Sequence, residues 1–121
     1  MQRQNDIEIY VLDCSMPQLL TWINAAAGPL GQAQDSGDAT IYPSRIGPVV
    51  ITPSTQQPPL VGVWFNTPDS PWPTDVDCAR DATRSLGCIV RCDPGQHFPS
   101  VPAQAPVMLE LSGTTERLVS A

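Results

Sequence analysis

The chain has no lysine. Its six cations are all arginines, set against twelve carboxylates in 121 residues, for a net charge of −6. A surface of that sign repels phosphate backbones and anionic lipid headgroups, which argues against nucleic acid and membrane as direct partners and favours a basic protein. No run approaches the roughly 18 apolar residues that would span a bilayer. Residues 1–6 hold no apolar segment of the kind that directs export. The expected location is therefore the cytoplasm, with Met1 as the start and the thiols reduced.

The motifs of several chemistries are missing as well. There is no calcium-loop pattern, no glycine loop that could cradle a phosphate and no strand–turn–helix nucleophile elbow. Cys14, Cys78, Cys88 and Cys92, with the single histidine His97, are residue types that ligate zinc, but no Cys-x-x-Cys knuckle is present. Residues 88–92 read as a strand, and four residues of strand span about 13 Å, too far for Cys88 and Cys92 to share an ion or a disulfide. Small buried apolar side chains are the simpler role for the cysteines. Cys92 and His97, five residues apart, could be a nucleophile and its base, yet the segment around His97 has the composition of an exposed loop. No cofactor or metal is expected, and no enzymatic activity.

What is present is a succession of short elements divided by 14 prolines and 8 glycines. Residues 7–12 alternate and are β-branched, as a strand requires. Ser15 can cap a helix, with Gln18 three positions on. Met16, Leu19, Leu20, Ile23 and Ala27 recur at helical spacing before the stop at Gly28 and Pro29. After a polar connection over residues 30–38, residues 39–42, 49–52 and 60–66 are β-prone runs. Thr74 caps a second helix, with Asp75 and Asp77 in its first turn and Val76, Ala79, Thr83 and Leu86 on one stripe, closed by Gly87. Arg80 and Arg84 stand at helical spacing from Asp77 and Asp81, so ion pairs within the helix are expected. Residues 88–92 give a strand, and the turn at Asp93, Pro94 and Gly95 opens a proline-rich loop to residue 105. Residues 107–111 and 116–119 form a closing hairpin. This order implies a single α+β domain: a mainly antiparallel sheet of six or seven short strands with two helices on one face.

The segment from Phe65 to Asp77 carries the clearest functional signal. It holds Asp69, Asp75 and Asp77 without an intervening cation, and it sets Trp72 between Pro71 and Pro73. Fixed carboxylates and a proline-braced tryptophan are groups that steer and anchor protein association. Two readings of Trp72 stand side by side: an exposed anchor for a partner, or a ring folded back over the start of the second helix. Asp69, Trp72, Asp75, Asp77 and Asp93 are the candidate partner-binding residues.

The run from Trp72 through Asp81, continued by residues 86–95 and by Glu116, Arg117, Leu118 and Val119, resembles small bacterial immunity proteins. These are the cytoplasmic antidotes that accompany polymorphic toxins, including effectors of the type VI secretion system. The resemblance covers the C-terminal half and implies a stoichiometric toxin inhibitor that occludes an active site. A cytoplasm-acting toxin of nuclease or nucleotide-modifying type would be basic and would suit this charge. The chain itself would be a monomer or homodimer. Two alternatives come from other classes. One is a small-molecule-binding domain or small enzyme with a pocket between the sheet and residues 93–106, using Cys92 and His97. The other is an adaptor that associates through an open sheet edge.

Overall fold

The computed structural model describes residues 6–54, 59–95, 98 and 106–120. Its strands are β1 (Ile7–Leu12), β2 (Gln34–Ser36), β3 (Ala39–Tyr42), β4 (Val49–Ser54), β5 (Leu60–Phe65), β6 (Ile89–Cys92), β7 (Val107–Ser112) and β8 (Thr115–Ser120). The helices are α1 (Met16–Ala27) and α2 (Asp75–Leu86). One antiparallel sheet contains all eight strands in the spatial order β2-β3-β4-β5-β1-β6-β7-β8, with both helices on one face. The α+β class is as the sequence implies.

The first strand in sequence lies at the centre of the sheet. β5 and β6 both pair antiparallel with it and so run parallel to each other. A parallel pair needs a crossover connection, and α2 supplies it, packing over β1, β6 and β7. Cross-strand partners share a face, so the register alone sorts the side chains. Ile7, Ile9 and Val11 face the helices beside Phe65, Val63 and Val61, and Val49 and Ile51 continue that layer on β4. Val90, Cys92, Leu109 and Leu111 extend it on the other side. Leu19, Trp22 and Ile23 of α1 and Val76, Ala79, Ala82 and Leu86 of α2 close it into one core. Each large aliphatic side chain buried there contributes roughly 1.5–3 kcal/mol.

Both helices begin at the expected caps. Ser15 Oγ accepts from the Gln18 backbone N–H at 3.3 Å, and Thr74 Oγ1 from that of Asp77 at 3.2 Å. α2 ends at Gly87, whose φ of 70° is a left-handed conformation that costs glycine nothing, and whose N–H bonds the Thr83 carbonyl at 3.0 Å.

Two local expectations are corrected. The connection over residues 30–38 contains a strand, β2, paired with β3 around Gly37 and Asp38. Its three residues are exposed, so the strand is held by backbone pairing and carries no apolar alternation to betray it. Arg80 reaches across to Glu116 on β8, with bonds of 2.8 and 3.1 Å, rather than pairing within its own helix. Asp81 is occupied by the Trp72 indole and the Ser85 hydroxyl.

A candidate acidic site beside the central strand

Along β1, β6 pairs only with Tyr10, Val11 and Leu12, so it stops short of the first half of that strand. Asp75, the first residue of α2, fills part of that gap: its Oδ1 accepts the backbone N–H of Glu8 at 3.2 Å. A side chain thus stands in for a strand. The arrangement gathers negative charge, because Asp93 follows directly on the end of β6 and Asp6 and Glu8 open β1.

Asp75 records the crowding. Burial pushes its carboxyl up, the bond from the Glu8 N–H partly offsets that, and the charges of Asp93, Asp6 and Glu8 push it further, to about 6 from an ordinary 3.8. Among the described residues, no arginine is one of the groups that shift Asp75. The three ion pairs among the described residues join Arg80 to Glu116 and both Arg91 and Arg117 to Glu110, and all lie outside the cluster. Asp6 also accepts the Trp64 indole N–H at 2.8 Å. Burial and then the Glu8 carboxylate raise the Tyr10 phenol beside it.

The expected site residues therefore separate. Asp75 and Asp93 come together, and Asp6 and Glu8, which the sequence did not single out, join them. Asp77 is engaged in the helix cap, its Oδ2 accepting from the Thr74 hydroxyl at 2.8 Å. Asp69 lies in the turn after β5, where its N–H bonds Thr67 Oγ1 at 3.1 Å, and it is not among the groups acting on Asp75. Trp72 is a core residue, only 8% exposed. Its ring lies 5.0 Å from Phe65 and 5.5 Å from Trp22 between centroids, and its indole N–H bonds Asp81 at 3.0 Å. The surface-anchor reading is corrected on this ground: the ring packs inward onto two other aromatics, and its one polar atom already has a partner.

Cys92 and His97 have different standings. Cys92 is fully buried, and burial followed by the Asp75 and Asp93 charges drives its thiol up to about 12, a protonated state without nucleophilic character. His97 and most of the 93–106 loop lie outside the described residues. A different concavity is present on the helix-free face of the sheet: a groove of about 300 Å³ lined by Tyr10, Trp64, Val50, Thr52 and Leu60. It opens because Gly62 sits between Tyr10 and Thr52 in the register and contributes no side chain. No helix among the described residues is long and apolar enough to cross a membrane. Comparison with family models, characterised proteins and solved structures finds no match, so the site is read from its own geometry.

The raised Asp75 carboxyl has a consequence for stability. Between pH 3.8 and about 6 the folded chain holds a proton that the unfolded chain has lost, so stability falls as pH rises through this window and the whole penalty is present above it. Asp75→Asn keeps an acceptor for the Glu8 N–H and removes the charge. Allowing for solvent screening of a partly exposed group, the variant should be about 1 kcal/mol more stable at pH 7.5 and equal to the parent below about pH 4. Urea midpoints across that range check it. A less stable variant at pH 7.5 would mean that the helix N-terminus outweighs the repulsion.

Proposed function

We propose that the chain is a binding protein for a basic protein partner, of the immunity type: it neutralises a cytoplasm-acting bacterial toxin by placing carboxylates in a cationic cleft. The observation that carries this reading is the gathering of Asp6, Glu8, Asp75 and Asp93, with no cation among the described groups that shift Asp75; burial first, and then these charges, push its carboxyl up to about 6. Such a cluster destabilises the free protein, and a lysine or arginine from a partner relieves the strain. Charge placed this way speeds encounter and selects against acidic partners. The immunity class itself rests on the resemblance in the C-terminal half.

The test is capture of partners by the tagged chain from cells that encode it, at low and moderate salt, followed by titration of any retained protein. One stoichiometric basic partner is expected, with inhibition of its activity at equimolar chain and binding that weakens with salt. Binding should strengthen as pH rises through 6, because the cation displaces the Asp75 proton. Replacing Glu8, Asp75 and Asp93 together by their amides should weaken it by about 100-fold. Binding indifferent to salt and to that triple variant would remove the acidic mechanism. No partner, together with a small metabolite that raises the melting temperature, would transfer the reading to the groove over Gly62.

A further inference from the structure

We infer that Cys14 and Cys88 form a redox-modification site, a thiol pair that closes to an intramolecular disulfide on reaction with a small disulfide oxidant such as glutathione disulfide. The register brings them together. Leu12 at the end of β1 is paired with Ile89 at the start of β6, so Cys14, two residues past the one, and Cys88, one residue before the other, lie at the same end of the sheet. The Cys88 thiol acts directly on that of Cys14, adding to the burial that pushes it up.

A shared frame holds both sulfurs. The Cys14 thiol donates to Gln18 Oε1 at 3.8 Å and the Cys88 thiol to the Leu86 carbonyl at 3.7 Å, while Gln18 Nε2 donates to that same carbonyl at 2.8 Å. The start of α1 is thereby tied to the end of α2. Both cysteines are partly exposed, whereas Cys78 and Cys92 are fully buried. A small oxidant in water therefore meets one pair and not the other.

The chemistry balances in two exchanges. The Cys88 sulfur, losing its proton to solvent, attacks one sulfur of glutathione disulfide; one glutathione leaves and a mixed disulfide remains on Cys88. Cys14 then gives up its proton and attacks the Cys88 sulfur, expelling the second glutathione. The protein has lost two protons and two electrons, and the oxidant, having gained them, has become two thiols. Burial, then the bond and charge of Cys88, push the Cys14 thiol up to about 12, and exchange at Cys88 removes the charge that opposes ionisation of Cys14.

The link would join residues 14 and 88 across most of the chain, the kind of long closure that restricts an unfolded chain strongly. It lies at the far end of β1 from Glu8 and of α2 from Asp75, so it is independent of the acidic site. The test incubates the folded chain with glutathione disulfide at mildly alkaline pH and maps its peptides without reduction. The expected result is a Cys14–Cys88 peptide, loss of two of the four thiols, and a melting temperature higher by about 10 °C that dithiothreitol reverses. Cys14→Ser should stop at the mixed disulfide on Cys88. If the parent chain accumulates stable glutathione adducts on both residues, or retains four thiols after prolonged exposure, the pair is not a disulfide site and the inference fails.

Discussion

Trp72→Ala should lower the unfolding free energy by about 3–5 kcal/mol, the usual cost of emptying a site that holds a buried tryptophan. In a chain of this length that corresponds to a melting temperature lower by about 12–20 °C. The reason is local. The ring is 8% exposed and touches Phe65 and Trp22, which also meet edge to face at 6.2 Å, so three elements share one aromatic contact: β5, α1 and the turn before α2. Aromatic pairs at such distances contribute about 0.5–1.5 kcal/mol each beyond the area they bury. Truncation also frees Asp81 of its indole partner. Trp72→Phe should keep most of the stacking and lose only the hydrogen bond and some volume, about 1–2 kcal/mol. Thermal melts of the two variants against the parent decide it. A shift below about 3 °C for the alanine variant, with partner binding abolished, would return the ring to the surface as an anchor.

The same residue marks where reading the sequence stops. Pro71 and Pro73 fix the backbone around Trp72, but proline restricts φ and does not say on which side of the chain the ring lies. That is decided by Trp22 and Phe65, fifty and seven residues away, and only the folded sheet brings the three together. The capping and alternation signals survived intact. Ser15 with Gln18 and Thr74 with Asp77 cap the helices they announce, and the alternation in residues 7–12 is β1 itself. β2 was illegible because an exposed three-residue edge strand needs no pattern of its own. The acidic site was half legible. Asp75 and Asp93 stand out in sequence, whereas Asp6 and Glu8 join them only because β1 is inserted between β5 and β6, and that insertion is a property of topology. Glu110 shows the same limit: it looks like an ordinary exposed strand residue, yet cross-strand pairing sets it between Arg91 and Arg117. Burial acts to raise its carboxyl, but the bonds from the two arginines outweigh that and hold it below the usual range.

Thr83 is the other position where one side chain holds separate elements, and its removal should have the second largest effect on stability. It is 2% exposed, near the C-terminal end of α2, and its hydroxyl donates to the Cys88 carbonyl at 2.7 Å while accepting from the Gly113 N–H at 3.3 Å. One atom group thus joins the helix, the turn into β6 and the tip of the β7–β8 hairpin. Thr83→Val preserves the shape and deletes both bonds, leaving a carbonyl and an N–H short of a partner; the expected cost is about 2–3 kcal/mol, or about 8–12 °C in melting temperature. Thr83→Ser keeps the hydroxyl and loses one buried methyl, about 1 kcal/mol. The order of the two variants carries the argument, since packing alone predicts the reverse: valine would be harmless and serine costly. Hydrogen exchange supplies a second readout, because the Gly113 amide should lose protection in the valine variant and keep it in the serine variant. Equal protection in both would mean that the hairpin tip is held by its own turn, and that α2 positions Asp75 without help from the end of the helix opposite to it.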